Sequence, residues 1–65
     1  MVKITWHDAE QAKTSEFATM RDFLSAQEKE VPALQDNATV DRLEIDDGEI
    51  PFTGSIFDLY RTFSH

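Results

Sequence analysis

The chain has 65 residues, no cysteine, 13 acidic against six basic residues, and a net charge of −7. These facts exclude a disulfide scaffold and a thiolate metal site, and they disfavour direct binding to nucleic acid or anionic lipid, which repel an acidic surface. A chain this short makes one domain, residues 1–65, and buries only about 60% of the surface that its unfolded form exposes, so its stability margin is slim.

Hydrophobic residues make up 40% of the chain, with five Phe, one Trp and one Tyr, enough for a packed core rather than disorder. Val2, Ile4 and Trp6 alternate with Lys3, Thr5 and His7, which predicts a half-buried strand. Because this start alternates and no apolar run approaches the roughly 18 residues that span a bilayer, a soluble cytoplasmic protein is expected. Asp8 to Lys13 is polar and reads as a connection. From Ser15 to Glu30 the pattern predicts a helix, capped by Thr14 or Ser15, with Glu16 at the positive end of its dipole. Phe17, Met20, Phe23, Leu24 and Val31 share one arc of that helix, and Pro32 disfavours helical geometry at Val31. Ala33 to Ala38 reads as a loop with Leu34 tucked beneath it.

Thr39 to Thr53 carries the strongest local signal. Asp47-Gly48 is a favoured tight-turn pair flanked by alternating residues, which predicts a hairpin with Ile45 opposite Ile50 and Leu43 opposite Phe52. A one-residue slip would oppose Ile45 to Glu49 and spoil that match. Pro51 cannot donate to a ladder, so this last strand is short or lies at an edge. Ser55 can cap a final short helix with Asp58 three places on, and Ile56, Leu59, Tyr60 and Phe63 follow helical spacing. The expected fold class is α+β, a three-stranded antiparallel sheet with two helices packed on one face, in the order β-α-β-β-α. Its expected core is Trp6, Phe17, Phe23, Leu43, Ile45, Phe52, Leu59 and Phe63. Strand order is left open by the pattern.

The charge is local. Asp36, Asp41, Glu44, Asp46, Asp47 and Glu49 lie within fourteen positions with only Arg42 to answer them, so this stretch carries −5 of the total −7. Placing Leu43 and Ile45 inside turns Arg42, Glu44 and Asp46 outward, with Glu49 joining them from the partner strand. Successive outward residues on a strand stand about 6.6 Å apart, similar in scale to neighbouring phosphates along a nucleic-acid strand. The candidate partner-binding residues are therefore Asp41, Glu44, Asp46, Asp47 and Glu49, arranged to imitate part of a phosphate backbone. If Asp46 stands opposite Glu49, the like-charge pair costs roughly 0.2–1 kcal/mol. The competing reading is a solvated turn, because Asp is a good turn residue and water screens exposed charge. Glu16, Asp22, Glu28 and Glu30 read as a solvated helix face.

Catalytic constellations are sparse. His7 reads as an exposed strand-end residue, since its neighbour Asp8 points to the opposite face, and His65 stands at the end of the chain, where fraying is usual. Aligning Gly48 with the glycine of a calcium loop puts Leu43 and Ile45 at ligand positions, and Gly54 where a bidentate Glu is required, so that reading fails. No glycine-rich phosphate loop and no nucleophile with an evident base is present. Tyr60 and Trp6 have apolar spacing and read as core or rim. The expectation is no enzyme, no metal and no cofactor.

The acidic stretch Asp41-Arg42-Leu43-Glu44-Ile45-Asp46-Asp47-Gly48-Glu49, with the chain's size, lack of cysteine and αβ plan, resembles anti-CRISPR proteins, the small acidic inhibitors that phages and mobile elements encode. Those proteins share no common motif, so no functional residue carries over. The resemblance implies docking on a basic protein surface in the host cytoplasm, and blockade of DNA recruitment by a CRISPR effector complex. The alternative is a small structural or assembly protein acting through an oligomeric or partner interface. Its contact residue would be Phe57, which lies off the apolar stripe of the last helix, and the chain is then a monomer or weak homodimer.

Overall fold

Val2, Ile4 and Trp6 send one apolar row into the core, as their alternation predicts. The computed structural model, which describes residues 1–64, pairs the strand that carries them on both edges. His65 lies outside the described residues. In chain order the elements are β1 (Val2–His7), β2 (Ala12–Phe17), α1 (Met20–Gln27), β3 (Thr39–Ile45), β4 (Gly48–Ile50), β5 (Gly54–Ser55) and α2 (Ile56–Phe63). The α+β class and the antiparallel sheet agree with expectation, but the sheet has five strands rather than three. The order is β2-β1-β3-β4, with β5 pairing β3 beside β4.

The main correction concerns Ala12–Phe17, where a connection and then the first helical turn were expected. This segment pairs with β1 over its whole length, Val2 opposite Phe17 and His7 opposite Ala12. A strand and a helix both bury Phe17, so hydrophobic spacing alone does not separate them. As a strand, the segment satisfies the amides along the outer edge of β1, which would otherwise stand open. Phe17 then meets Phe23 edge to face, with ring centres 5.4 Å apart at 71°. Thr14 and Ser15 cap nothing. Ser15 Oγ accepts from the Trp6 indole N–H at 3.0 Å, and the Thr14 and Thr5 hydroxyls lie 3.1 Å apart. The helix begins five residues later than expected, where extended Thr19 is the N-cap and takes the Asp22 N–H at 3.1 Å.

That helix also stops early, at Gln27, three residues before the expected end at Glu30. The buried Gln27 carboxamide donates to the Leu34 carbonyl at 3.0 Å and accepts the Leu34 N–H at 2.9 Å, acting as one more backbone partner for the loop. Leu34 is thereby buried, as expected, while Val31 leaves the apolar arc and is 81% exposed.

β3 holds the sheet together, and a bulge sets its phase. Thr5 pairs with Arg42 but Trp6 pairs with Val40, so Asp41 is an extra residue without a cross-strand partner. Val40 and Leu43 are consequently both buried, while Asp41 and Arg42 both face solvent. Strict alternation would have sent Asp41 inward. Past the bulge, β3 runs to a two-residue turn at Asp46-Asp47, with Ile45 opposite Gly48, Glu44 opposite Glu49 and Leu43 opposite Ile50. The turn therefore lies one residue earlier than Asp47-Gly48. Asp46 and Asp47 have φ of 52° and 67°, the left-handed pair that a type I′ hairpin turn demands and that Asp tolerates. The expected facing of Leu43 with Phe52 and of Asp46 with Glu49 does not occur, because the ladder is two positions tighter. Parity survives that shift, so the inward and outward sets on β3 remain as expected.

α2 starts where expected. Ser55 and Asp58 form a reciprocal capping box, and two further helix amides donate to the loop between α1 and β3, Ile56 to the Ala38 carbonyl at 2.9 Å and Phe57 to the Asp36 carbonyl at 3.0 Å. Gly54, at φ 138°, packs against Asp58, where a Cβ would come within 3.0 Å of the carboxylate. Both helices cover the face that carries Val2, Ile4, Trp6, Val40 and Leu43, closing one core with Phe23, Ile56 and Leu59. Trp6, Phe23, Leu43 and Leu59 are buried as expected, whereas Phe17, Ile45, Phe52 and Phe63 pack at its margin. Each fully buried large side chain contributes about 1.5–3 kcal/mol.

Candidate functional site: the acidic hairpin and the uncovered sheet face

Because the helices sit on one side, the other face of the sheet is open to solvent, and its side chains fall in rows set by the ladder. One row runs Glu16, Lys3, Glu44, Glu49 across β2, β1, β3 and β4. The next runs Thr14, Thr5, Arg42, and a third brings Ala12, His7 and Thr39 together. All five candidate carboxylates lie on this face or at its hairpin tip, but they do not form one uninterrupted anionic array.

Each of four has an assigned partner. Arg42 lies between the facing pair Glu44 and Glu49, 3.4 Å from the first carboxylate and 3.2 Å from the second, which offsets the like-charge cost of that pairing. Asp46 accepts from the Met1 ammonium at 2.9 Å while remaining 81% exposed. The bulge turns Asp41 toward His7, whose Nδ1 lies 2.8 Å from both carboxylate oxygens. Asp47, at the tip, makes no side-chain hydrogen bond or ion pair among the described residues. All these contacts are solvent-exposed, so each ion pair is worth no more than about 1 kcal/mol. The hairpin from Asp41 to Glu49 keeps five carboxylates against one guanidinium.

Sequence reasoning missed two of these partners, the Met1 ammonium and His7. His7 pairs with Asp41, 34 positions away, rather than standing free beside Asp8. Only knowledge of the β1–β3 ladder, bulge included, would have brought them together. Asp8 does point elsewhere, as expected. Its Oδ1 accepts the Glu10 and Gln11 backbone N–H groups at 2.8 and 2.9 Å, and these two bonds hold its carboxyl below the usual carboxylate range. On the helix side, the Tyr60 hydroxyl donates to Glu28 at 2.9 Å, joining the end of α1 to α2, and that bond raises the phenol above its ordinary range.

Among the described residues no group of three or more His, Cys, Asp or Glu side chains is placed to hold a metal ion. No described helix is long and apolar enough to cross a membrane.

No curated protein and no solved structure matches the chain. Residues 2–65 match the model of a family described as a domain of unknown function, DUF4649. That match takes in every strand and helix described above, so the chain belongs to the DUF4649 family.

Proposed function

We propose that this chain is a non-enzymatic binding protein that docks its acidic β3–β4 hairpin into a basic, nucleic-acid-binding groove of another protein. The observation that carries this reading is the tight Asp46-Asp47 turn, which fixes Glu44, Asp46, Asp47 and Glu49 on a short two-stranded ladder. Prior ordering of those carboxylates lowers the entropy lost on docking, and their shared sign steers a basic partner toward them. The narrower target, DNA recruitment by a CRISPR effector complex, rests on the resemblance in size, charge and αβ plan alone.

The test is capture on the immobilised chain, followed by elution with rising salt or with excess duplex DNA. Both treatments should release a basic protein, and the combined Glu44→Lys, Asp46→Lys, Glu49→Lys variant should bind it at least about tenfold more weakly while keeping its fold. Equal capture by the triple variant sinks the mimicry idea. A second variant separates charge from folding: Asp46→Asn with Asp47→Gly installs the strongest type I′ turn pair. Its thermal stability should equal or exceed the parent's by up to about 1 kcal/mol, while its partner affinity falls.

One observation favours a second reading, an assembly interface. Phe57 is 45% exposed, and the Arg61 guanidinium lies 5.7 Å from its ring centre on the same outer face of α2. On that reading sedimentation detects a self-associated species that Phe57→Asp abolishes and the charge reversals leave intact; a parent that stays monomeric at every working concentration removes it.

A further inference from the structure

The sheet has two borders, and they are built differently. On one, β4 has three residues and runs into Pro51, β5 has two, and β3 carries its bulge at Asp41 between the stretches they pair. Short strands, a proline and a bulge keep an edge from pairing with another chain. On the other border β2 runs six residues with no proline and no register shift against β1, and most of it is exposed. The Asp8 N–H donates to the Gln11 carbonyl at 2.9 Å, just beyond the His7–Ala12 pair. Bonded and non-bonded pairs alternate along an antiparallel ladder, so Lys13, Ser15 and Phe17 bond to β1. Ala12, Thr14 and Glu16 then turn their N–H and C=O groups away from the sheet. The Asp46 N–H, which donates to the Met1 carbonyl at 3.0 Å, gives the same phase, since it sets Met1, Lys3 and Thr5 toward β3. The outward backbone groups of Ala12, Thr14 and Glu16 have no partner among the described residues.

This border also escapes the chain's acidity. β1 and β2 carry Lys3 and Lys13 against Glu16 alone, while the acidic hairpin stands at the opposite border. Two copies can therefore approach here without bringing their carboxylates together. A twofold axis normal to the sheet keeps each face with its like and sets one residue of β2 opposite itself. Centring on Lys13 or on Glu16 would oppose that charge to its own copy. Centring on Ser15 exchanges bonds through Thr14 and Glu16 only. Centring on Thr14 sets Lys13 opposite Ser15 and Ala12 opposite Glu16, so no like charges meet, and Ala12, Thr14 and Glu16 all bond across the axis. We propose that two copies of this chain pair β2 with β2 antiparallel about Thr14, joining their sheets into one. Few residues meet across such a seam, so the dimer is weak. It uses neither the hairpin, which lies at the other border, nor Phe57 on α2, so either earlier reading can fail without it.

The test is sedimentation of the full chain from micromolar to millimolar concentration, with amide exchange of the ¹⁵N-labelled chain at both ends of that range. A monomer when dilute and a dimer when concentrated are expected. The amides of Ala12, Thr14 and Glu16 should exchange at least about threefold more slowly in the concentrated sample, while those of Lys13, Ser15 and Phe17 stay protected at both. Ala12→Lys sets a lysine opposite Glu16 of the other copy and should tighten the dimer about fivefold. Ala12→Glu opposes like charges and should weaken it by a similar factor, and adding Glu16→Lys to Ala12→Glu should restore it. Ala12 is exposed, so the urea midpoint of the dilute chain should barely move with either substitution. The proposal is overturned if the chain is monomeric throughout, if Phe57→Asp abolishes the dimer, if the newly protected amides lie outside β2, or if Ala12→Lys and Ala12→Glu shift the affinity in the same direction.

Discussion

Phe23→Ala should leave the domain only marginally folded at room temperature. Phe23 is fully buried and is the largest side chain wholly enclosed, supplying the α1 contribution to the core and the edge-to-face contact with Phe17. Deleting a buried Phe to the β-carbon costs about 3–5 kcal/mol, because lost transfer energy and the remaining cavity both count. Net stability of single domains runs about 5–15 kcal/mol, and a chain of this size sits at the low end. Urea unfolding read by Trp6 fluorescence measures the effect. A drop below about 1 kcal/mol would mean that α1 is not held by Phe23. Phe23→Leu, which retains most of the apolar volume, should recover more than half of the loss.

Gln27→Leu should cost about 2–4 kcal/mol although it makes the interior more apolar. The carboxamide satisfies both the N–H and the C=O of buried Leu34, and an aliphatic replacement leaves two backbone groups unpaired, each costing about 1–3 kcal/mol. Gln27→Glu gives a sharper result with a pH signature. A carboxylate can accept the Leu34 N–H but cannot donate to the Leu34 carbonyl, and burial disfavours its charge. The folded-state pKa of the introduced Glu is therefore raised above its unfolded value. The variant should be most stable, relative to the parent, below the ordinary Glu range, and should lose stability as pH rises through the raised value. Chemical denaturation at pH 4 and at pH 8 checks the sign; a variant equally stable relative to the parent at both would show that this side chain is not enclosed as described.

Both predictions concern features of unequal legibility. Phe23 stands out in the sequence because an apolar residue with neighbours at helical spacing must find cover somewhere. Gln27 does not, since nothing local distinguishes it from any solvated helix glutamine until Leu34 folds back onto it. β2 was hidden for a related reason. Lys13, Thr14, Ser15 and Glu16 lack the inward apolar alternation of a central strand, and the segment is a strand only because the outer edge of β1 is there to receive it. The hairpin was legible in its parity but not in its turn, where a favoured Asp-Gly pair competed with two consecutive aspartates, and the shorter connection prevailed. For the candidate site, the outward placement of Arg42, Glu44 and Glu49 followed from alternation. The exposure of Asp41 required a bulge that single-strand patterning does not reveal.

The pairing of β1 with β3 has a kinetic consequence. Val2 meets Ile45 and Trp6 meets Val40, so the central ladder joins segments about forty residues apart, with a hairpin, a helix and a loop between them. Such non-local closure must precede the contacts that reward it, which slows the search for the native state beyond what the chain's modest length would suggest. During synthesis the first strand leaves the ribosome long before its inner neighbour exists. Until then only β2 can shelter one border of its Val2-Ile4-Trp6 row, and the opposite border stays open to whatever else it meets.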